Sequence, residues 1–166
     1  KGNKTGEAPN TNNLDHPANR MYSVQLILRR ISLTRRIVTL LGSFFYSGFF
    51  PIAPASFASF LWVIWYLYIP GGRVLVNPYS LLITIPLSVL VADRMESYYG
   101  HDAPEIVIDE FVGMQISLLM FQPTLKIAAA GFLLFRVYDI AKPFPAGASQ
   151  RIPGGAGVVI DDIIAG

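Results

Sequence analysis

The sequence has no cysteine and only two histidines, His16 and His101. The first absence removes disulfides, thiolate metal sites and cysteine nucleophiles together. The second removes a histidine-rich metal centre. Charge is also sparse: 14% of residues are charged, against about 25% in an average soluble domain. With 52% hydrophobic residues and a mean hydropathy of +0.45, this scarcity points to a membrane protein. The net charge of +2 is too small to suggest nucleic acid as a partner.

Residues 1–20 are rich in Asn and small polar side chains and lack the apolar core of a signal peptide, so they are expected to form a disordered leader. Residues 21–166 suffice for a single membrane domain. Residues 21–41 alternate apolar side chains with arginines, as a helix lying against phospholipid headgroups would. Arg29, Arg30, Arg35 and Arg36 precede the first long apolar run, which places that end at the cytoplasmic face.

No charged residue occurs between Ile37 and Gly72, but Gly42, Gly48, Pro51 and Pro54 interrupt the run. The expectation is a helix, an irregular turn over 49–56, and a helix over 57–69 capped by Ser56 or Ala55. Residues 70–73 read as an external loop, and residues 74–92 as a span kinked at Pro86. Asp102 and Pro104 look like the start of the next helix, which would put Glu105 and Asp109 on one face, with Gly113 as a point of close approach. Apolar helices follow over 125–137 and from 158 onward. Several of these segments are shorter than the ~20 residues of a simple span. The fold class is therefore expected to be all-α, an integral-membrane helical bundle with short or broken helices.

Against this background the acids stand out. Asp102, Glu105, Asp109 and Glu110 crowd into one stretch, Arg136, Asp139 and Lys142 into another, and Asp161 and Asp162 into a third. Each cluster borders an apolar segment, where carboxylates are costly to bury. If the three converge, oxygen ligands without Cys or a His set favour Mg²⁺ over zinc. Mg²⁺ beside Arg and Lys suits a phosphate ester, whose transition state spreads negative charge over its oxygens. In a membrane, that ester is expected to be carried on a lipid. The rival reading is a non-catalytic cation-binding membrane protein. Cysteine-dependent, Asp-x-Asp and Pro-Ser-Gly-His phosphatase patterns are all absent.

Four blocks resemble the signatures of the phosphatidylglycerophosphatase A family, in the same order: GSFFYSGFFPIAPASFAS (42–59), IVIDEFVG (106–113), FRVYDIAKPFP (135–145) and GGAGVVIDDIIAG (154–166). The resemblance implies a bacterial inner-membrane enzyme, its active site facing the cytoplasm, that uses Mg²⁺ to hydrolyse phosphatidylglycerophosphate to phosphatidylglycerol and phosphate. A related enzyme acting on another lipid phosphate is the alternative. On this basis Asp109, Glu110, Asp161 and Asp162 are expected to hold one or two Mg²⁺ ions. Asp139 ligates metal or orients Arg136, so all five acids are candidate catalytic residues. Arg136, Lys142 and Ser56 are expected to hold the substrate. Water attack and a phospho-aspartate intermediate both remain open. The sequence departs from the family where Ala55 and Ala58 replace glycines, Ser56 replaces Thr and Gln115 stands where Trp is common.

Overall fold

The computed structural model describes residues 17–149 and 152–166. Every regular element among them is helical. The expectation for the leader lies outside the described residues up to His16, whereas Pro17 already opens a helix, α1 (Pro17–Gly42). The chain divides into two units, residues 1–37 and 38–166. In the first, residues 30–37 are exposed, apolar Ile31 and Leu33 as much as the arginines.

The second unit contains the remaining helices. After α1 the backbone turns through Phe44, Phe45 and Tyr46, all with positive φ, and a short 3₁₀ turn at Ser47–Phe49. Helix α2 (Pro54–Tyr68) begins three residues earlier than expected. Ala53, in the left-handed conformation, is its N-cap, and no side chain caps it. Pro54 suits this position because the first helical N–H lacks a partner in any case. Ser56 therefore lies inside the first turn. Residues 70–73, expected as a loop, form most of a short helix α3 (Pro70–Leu75), again opened by proline.

Helix α4 (Pro78–Tyr99) is capped by the Asn77 side chain, which accepts from the N–H groups of Tyr79 and Ser80. It runs through Pro86 and continues past Asp93, Arg94 and Glu96. Helix α5 (Ile108–Ser117) starts well after Asp102 and Pro104. Asp102 sits at φ 50 in a turn, and Val107 donates its N–H to the Gly42 carbonyl at 2.9 Å. That bond pins the approach to α5 against the end of α1, so the expected pairing of Glu105 and Asp109 on one helical face does not form. Helix α6 (Leu125–Ala141) is capped by Thr124, and a single turn, α7 (Ala146–Ser149), leads to α8 (Gly155–Ala165).

Among the described residues no helix is long and apolar enough to cross a membrane. Helices α2 and α6 have 15 and 17 residues, and α4 places three charged side chains in its last two turns. At 1.5 Å per residue, 15 residues reach about 22 Å, short of the ~30 Å hydrocarbon layer. The expected all-α class holds, while the expected kinked span over 74–92 is instead the end of α3 and the apolar portion of α4.

Two apolar clusters hold the unit together. Phe44, Trp62, Tyr66, Met114, Leu118 and Phe135 pack between α2, α5 and α6. Val91, Ala92, Met95, Ile106, Val158 and Val159 pack between α4, α8 and the loop before α5. Helix α8 packs most extensively on α4 and α5. Two glycines permit the close approaches. A Cβ on Gly155 would stand 2.3 Å from the Val89 carbonyl oxygen, and one on Gly113 would stand 2.3 Å from the Phe135 ring and 3.2 Å from the Asp162 carbonyl. The expectation that Gly113 marks a close approach is met.

Candidate active site

Three helices deliver the acids to one place. Asp109 and Glu110 lie in the first turn of α5, where unpaired backbone N–H groups favour negative charge. Asp139 lies in the last turn of α6, and Asp161 and Asp162 in the middle of α8. Ligand-capable oxygens of Glu110, Asp139 and Asp162 all fall within 4.8 Å of one another, and all three residues are buried. The close passage of α8 over Gly113 is what sets Asp162 beside α5.

Arg136 organises the cluster. Its Nη1 donates to both carboxylate oxygens of Glu110, at 2.8 and 2.7 Å, and pairs with Asp139 Oδ2 at 2.9 Å. The Arg136–Asp139 spacing of three residues thus forms the expected ion pair. Glu110 Oε2 accepts a further bond from the Ser59 hydroxyl at 2.8 Å. Lys142, the residue that ends α6, donates through Nζ to Asp161 Oδ2 at 2.5 Å. Asp109 and Asp161 play the same local role. Each accepts, through Oδ1, the backbone N–H of the acid that follows it, which fixes the orientation of both acidic pairs.

Five carboxylates therefore face two cations, and the imbalance shows in the proton affinities of Asp109, Glu110, Asp161 and Asp162. Burial, and then the neighbouring Glu110 charge, push Asp109 well above the usual carboxylate range. Burial, followed by the charges of Glu110 and Asp109, does the same to Asp162. Burial also raises Glu110 and Asp161, with Arg136 and Lys142 respectively holding the shift back. Burial pulls Lys142 down, but its hydrogen bond and pairing with Asp161 outweigh this and leave it raised. The missing positive charge has a natural position. Asp162 Oδ2 is fully buried without a hydrogen-bond partner among the described residues. Burying such a group costs free energy unless something ligates it. All-carboxylate donors suit a hard divalent cation, so the residues present fit one.

Of the residues nominated from sequence, Glu110, Asp139, Asp162 and Arg136 form the tight centre, and Asp109, Asp161 and Lys142 border it. Ser56 lies on α2, half-buried, one turn before Ser59. Ser59, which touches Glu110, carries no distinguishing sequence signal: it is one of several serines in the uncharged run over 37–72. Gln115 explains its own departure from the family. Fully buried on α5, it donates to the Leu75 carbonyl and Ser80 Oγ and accepts from Thr84 Oγ1, tying α5 to α3 and α4.

Comparison with known proteins bears on what this centre does. The profile described as Phosphatidylglycerophosphatase A matches residues 40–166. The chain is 37% identical over 136 residues to phosphatidylglycerophosphatase A of Escherichia coli K12, covering 76% of each chain. It is 35% identical over 135 residues to a Bacteroides thetaiotaomicron protein provisionally named a phosphatidylinositol-3-phosphatase, covering 76% of this chain and 85% of that one. A 68-residue stretch is 44% identical to phosphatidylglycerophosphatase A of Haemophilus influenzae, covering 39% and 41% of the two chains. No solved structure matches the chain. A carboxylate-rich centre with two cations, on a chain matched by this profile from before α2 to its last residue, assigns the protein to the phosphatidylglycerophosphatase A family of phosphomonoester hydrolases.

Proposed function

We propose that the protein is a Mg²⁺-dependent phosphatase that converts phosphatidylglycerophosphate to phosphatidylglycerol and phosphate at the cytoplasmic face of a bacterial inner membrane. The observation that carries this reading is the convergence of Glu110, Asp139 and Asp162 around the unpartnered Asp162 Oδ2, with Arg136 alongside. Glu110, Asp139 and Asp162, bordered by Asp109 and Asp161, would hold the ion. Bound there, Mg²⁺ would offset the excess negative charge and polarise the phosphoryl group.

The chain's own residues account for the rest. Arg136 is locked by Glu110 and Asp139 through Nη1, while its Nε is buried with no partner among the described residues, leaving a donor for a phosphoryl oxygen. Lys142 is half-exposed at the edge of the cluster and can exchange Asp161 for the phosphate. Ser59 donates to the same Glu110 oxygen that Arg136 holds and so helps fix that carboxylate. Ser56 at the start of α2 remains a substrate contact in this reading. Work at the bilayer surface is supported by the large apolar side chains left exposed on α4 and α6, among them Leu82, Ile83, Leu90, Leu133, Leu134 and Ile140. Large apolar side chains left exposed in this number suit contact with lipid.

The test is phosphate release from phosphatidylglycerophosphate by the purified protein, with Mg²⁺ and with EDTA. Release should require the ion, and Asp109→Asn and Asp162→Asn should each abolish it. Wild-type rates in both variants would refute the assignment. The Bacteroides relative favours one comparison, phosphatidylinositol 3-phosphate, which should be hydrolysed more slowly.

A further inference from the structure

One cavity lies outside the carboxylate cluster yet shares a helix turn with it. Phe44, Phe45, Trp65, Leu87, Ile108 and Phe111 are among the residues that line a space of about 180 Å³, and the walls are almost wholly apolar. Native cores leave few voids larger than a water molecule, and an apolar cavity of about 150 Å³ stays dry and takes up benzene-sized guests. This cavity is not sealed. Leu41, Phe45 and Leu87 line it and are 40%, 62% and 47% exposed, so its rim is open and greasy.

Two further observations point to an occupant. The aromatic wall is held at a backbone cost. Phe44, Phe45 and Tyr46 run consecutively at φ 41, 56 and 66, a region that bulky residues avoid. That conformation stacks Phe44 on Trp65 at 5.6 Å and sets it 5.7 Å from Phe111. Strain of this kind persists where the surroundings hold a site in shape. The second observation is position. Ile108 and Phe111 flank Asp109 and Glu110 on the first turn of α5, which sets the apolar and acidic pairs on opposite sides of the helix. The cavity and the carboxylates therefore lie around one helix, itself only about 10–12 Å across with side chains.

We infer that this cavity receives a segment of a fatty acyl chain of the lipid phosphate, the rest of the chain leaving through the open rim, while the phosphate lies at the carboxylate cluster. The inference rests on the lipid-phosphatase reading above and extends it from the headgroup to the chain. A molecule whose polar end meets charged groups and whose tail is joined to it by a short linker is the ligand chemistry that fits both halves of the turn.

Tryptophan fluorescence tests this without relying on catalysis. The chain has two tryptophans, and Trp62→Phe leaves Trp65, in the cavity wall, as the sole reporter. In phosphatidylcholine vesicles, phosphatidylglycerol brominated at mid-chain should quench Trp65 more than phosphatidylcholine brominated to the same extent. Leu87→Phe and Leu41→Phe, both at the exposed rim and so tolerant of substitution, should each about halve that quenching by filling the space. In the parent background the same two substitutions should raise KM for a long-chain substrate about tenfold and leave kcat/KM for the deacylated, water-soluble headgroup phosphate unchanged. Equal quenching in the parent and both rim variants overturns the inference, as does an equal loss on long-chain and deacylated substrates. Phosphate release without chain dependence would retain the phosphatase and remove the cavity's role. Chain-specific quenching without phosphate release from any lipid would do the reverse.

Discussion

Asp162 combines the two properties expected of a ligand: it is buried, and one of its oxygens has no partner among the described residues. Asp162→Asn keeps its shape and removes its charge. Activity should fall at least about a hundredfold, as when a group that stabilises developing charge is removed. Stability should move the other way. In EDTA the variant should melt at a higher temperature than the parent, because a buried acid that resists ionisation has been replaced by a neutral amide. A variant that melted lower in EDTA would contradict the electrostatic account. Arg136 presents the opposite case. Arg136→Gln strands Glu110 and Asp139 as uncompensated buried acids, so stability should drop by about 3–5 kcal/mol in chemical denaturation. Arg136→Lys should recover only part of this, since the lysine side chain is one bond shorter and its ammonium falls short of the three oxygens that Arg136 Nη1 reaches.

At the scale of elements, the site depends on how closely α8 and α6 approach α5. Gly113 is the contact point. Gly113→Ala would drive a methyl group into the Phe135 ring and push α5 away from Asp162. The expected cost is about 1–3 kcal/mol, with a loss of activity although Gly113 carries no functional group. Adding Phe135→Leu should restore part of both, as read by thermal unfolding and phosphate release. If the second substitution only compounds the loss, packing at Gly113 is not what positions the acids. This scale also shows where sequence reasoning stopped. The Arg136–Asp139 pair and the Asp161-Asp162 helix were legible because three-residue spacing and acids within an apolar run are local signals. The start of α5 was not. Asp102 and Pro104 carry good helix-start chemistry, but the bond from Val107 to the distant Gly42 carbonyl overrides it. Ser59 was invisible for the same reason, since its partner Glu110 lies 51 residues away.

For the whole molecule, the excess of buried acids predicts a pH dependence with a definite sign. Asp109, Glu110, Asp161 and Asp162 are all raised in the folded protein. Between the ordinary carboxylate pKa of about 4 and those raised values, the unfolded chain binds fewer protons than the native one. Stability of the metal-free protein must therefore fall as pH rises through that window. The raised Lys142 acts only at much higher pH, above its ordinary range. In EDTA the melting temperature should be lower at pH 8 than at pH 5, by about 2–4 °C for each kcal/mol lost. Mg²⁺ should flatten the slope by favouring the ionised carboxylates. A flat profile in EDTA would mean that the acids are not buried together.

The sequence alone determined the helical class, the poverty of charge, the oxygen-only donor set and the family blocks, because each is a property of composition or of short spacing. Only the tertiary structure decided which acids meet. It drew Glu110, Asp139 and Asp162 into one centre with Asp109 and Asp161 beside them, made Ser59 a partner of Glu110, and placed an aromatic cavity across α5 from the charges. It also showed that no helix among the described residues is long and apolar enough to cross a membrane, the stretch over 74–92 read as a kinked span included. Hydropathy counts apolar residues along the chain. Where those residues face, and what stands opposite them, depends on contacts between segments far apart in sequence, such as α8 crossing Gly113, which no local pattern encodes.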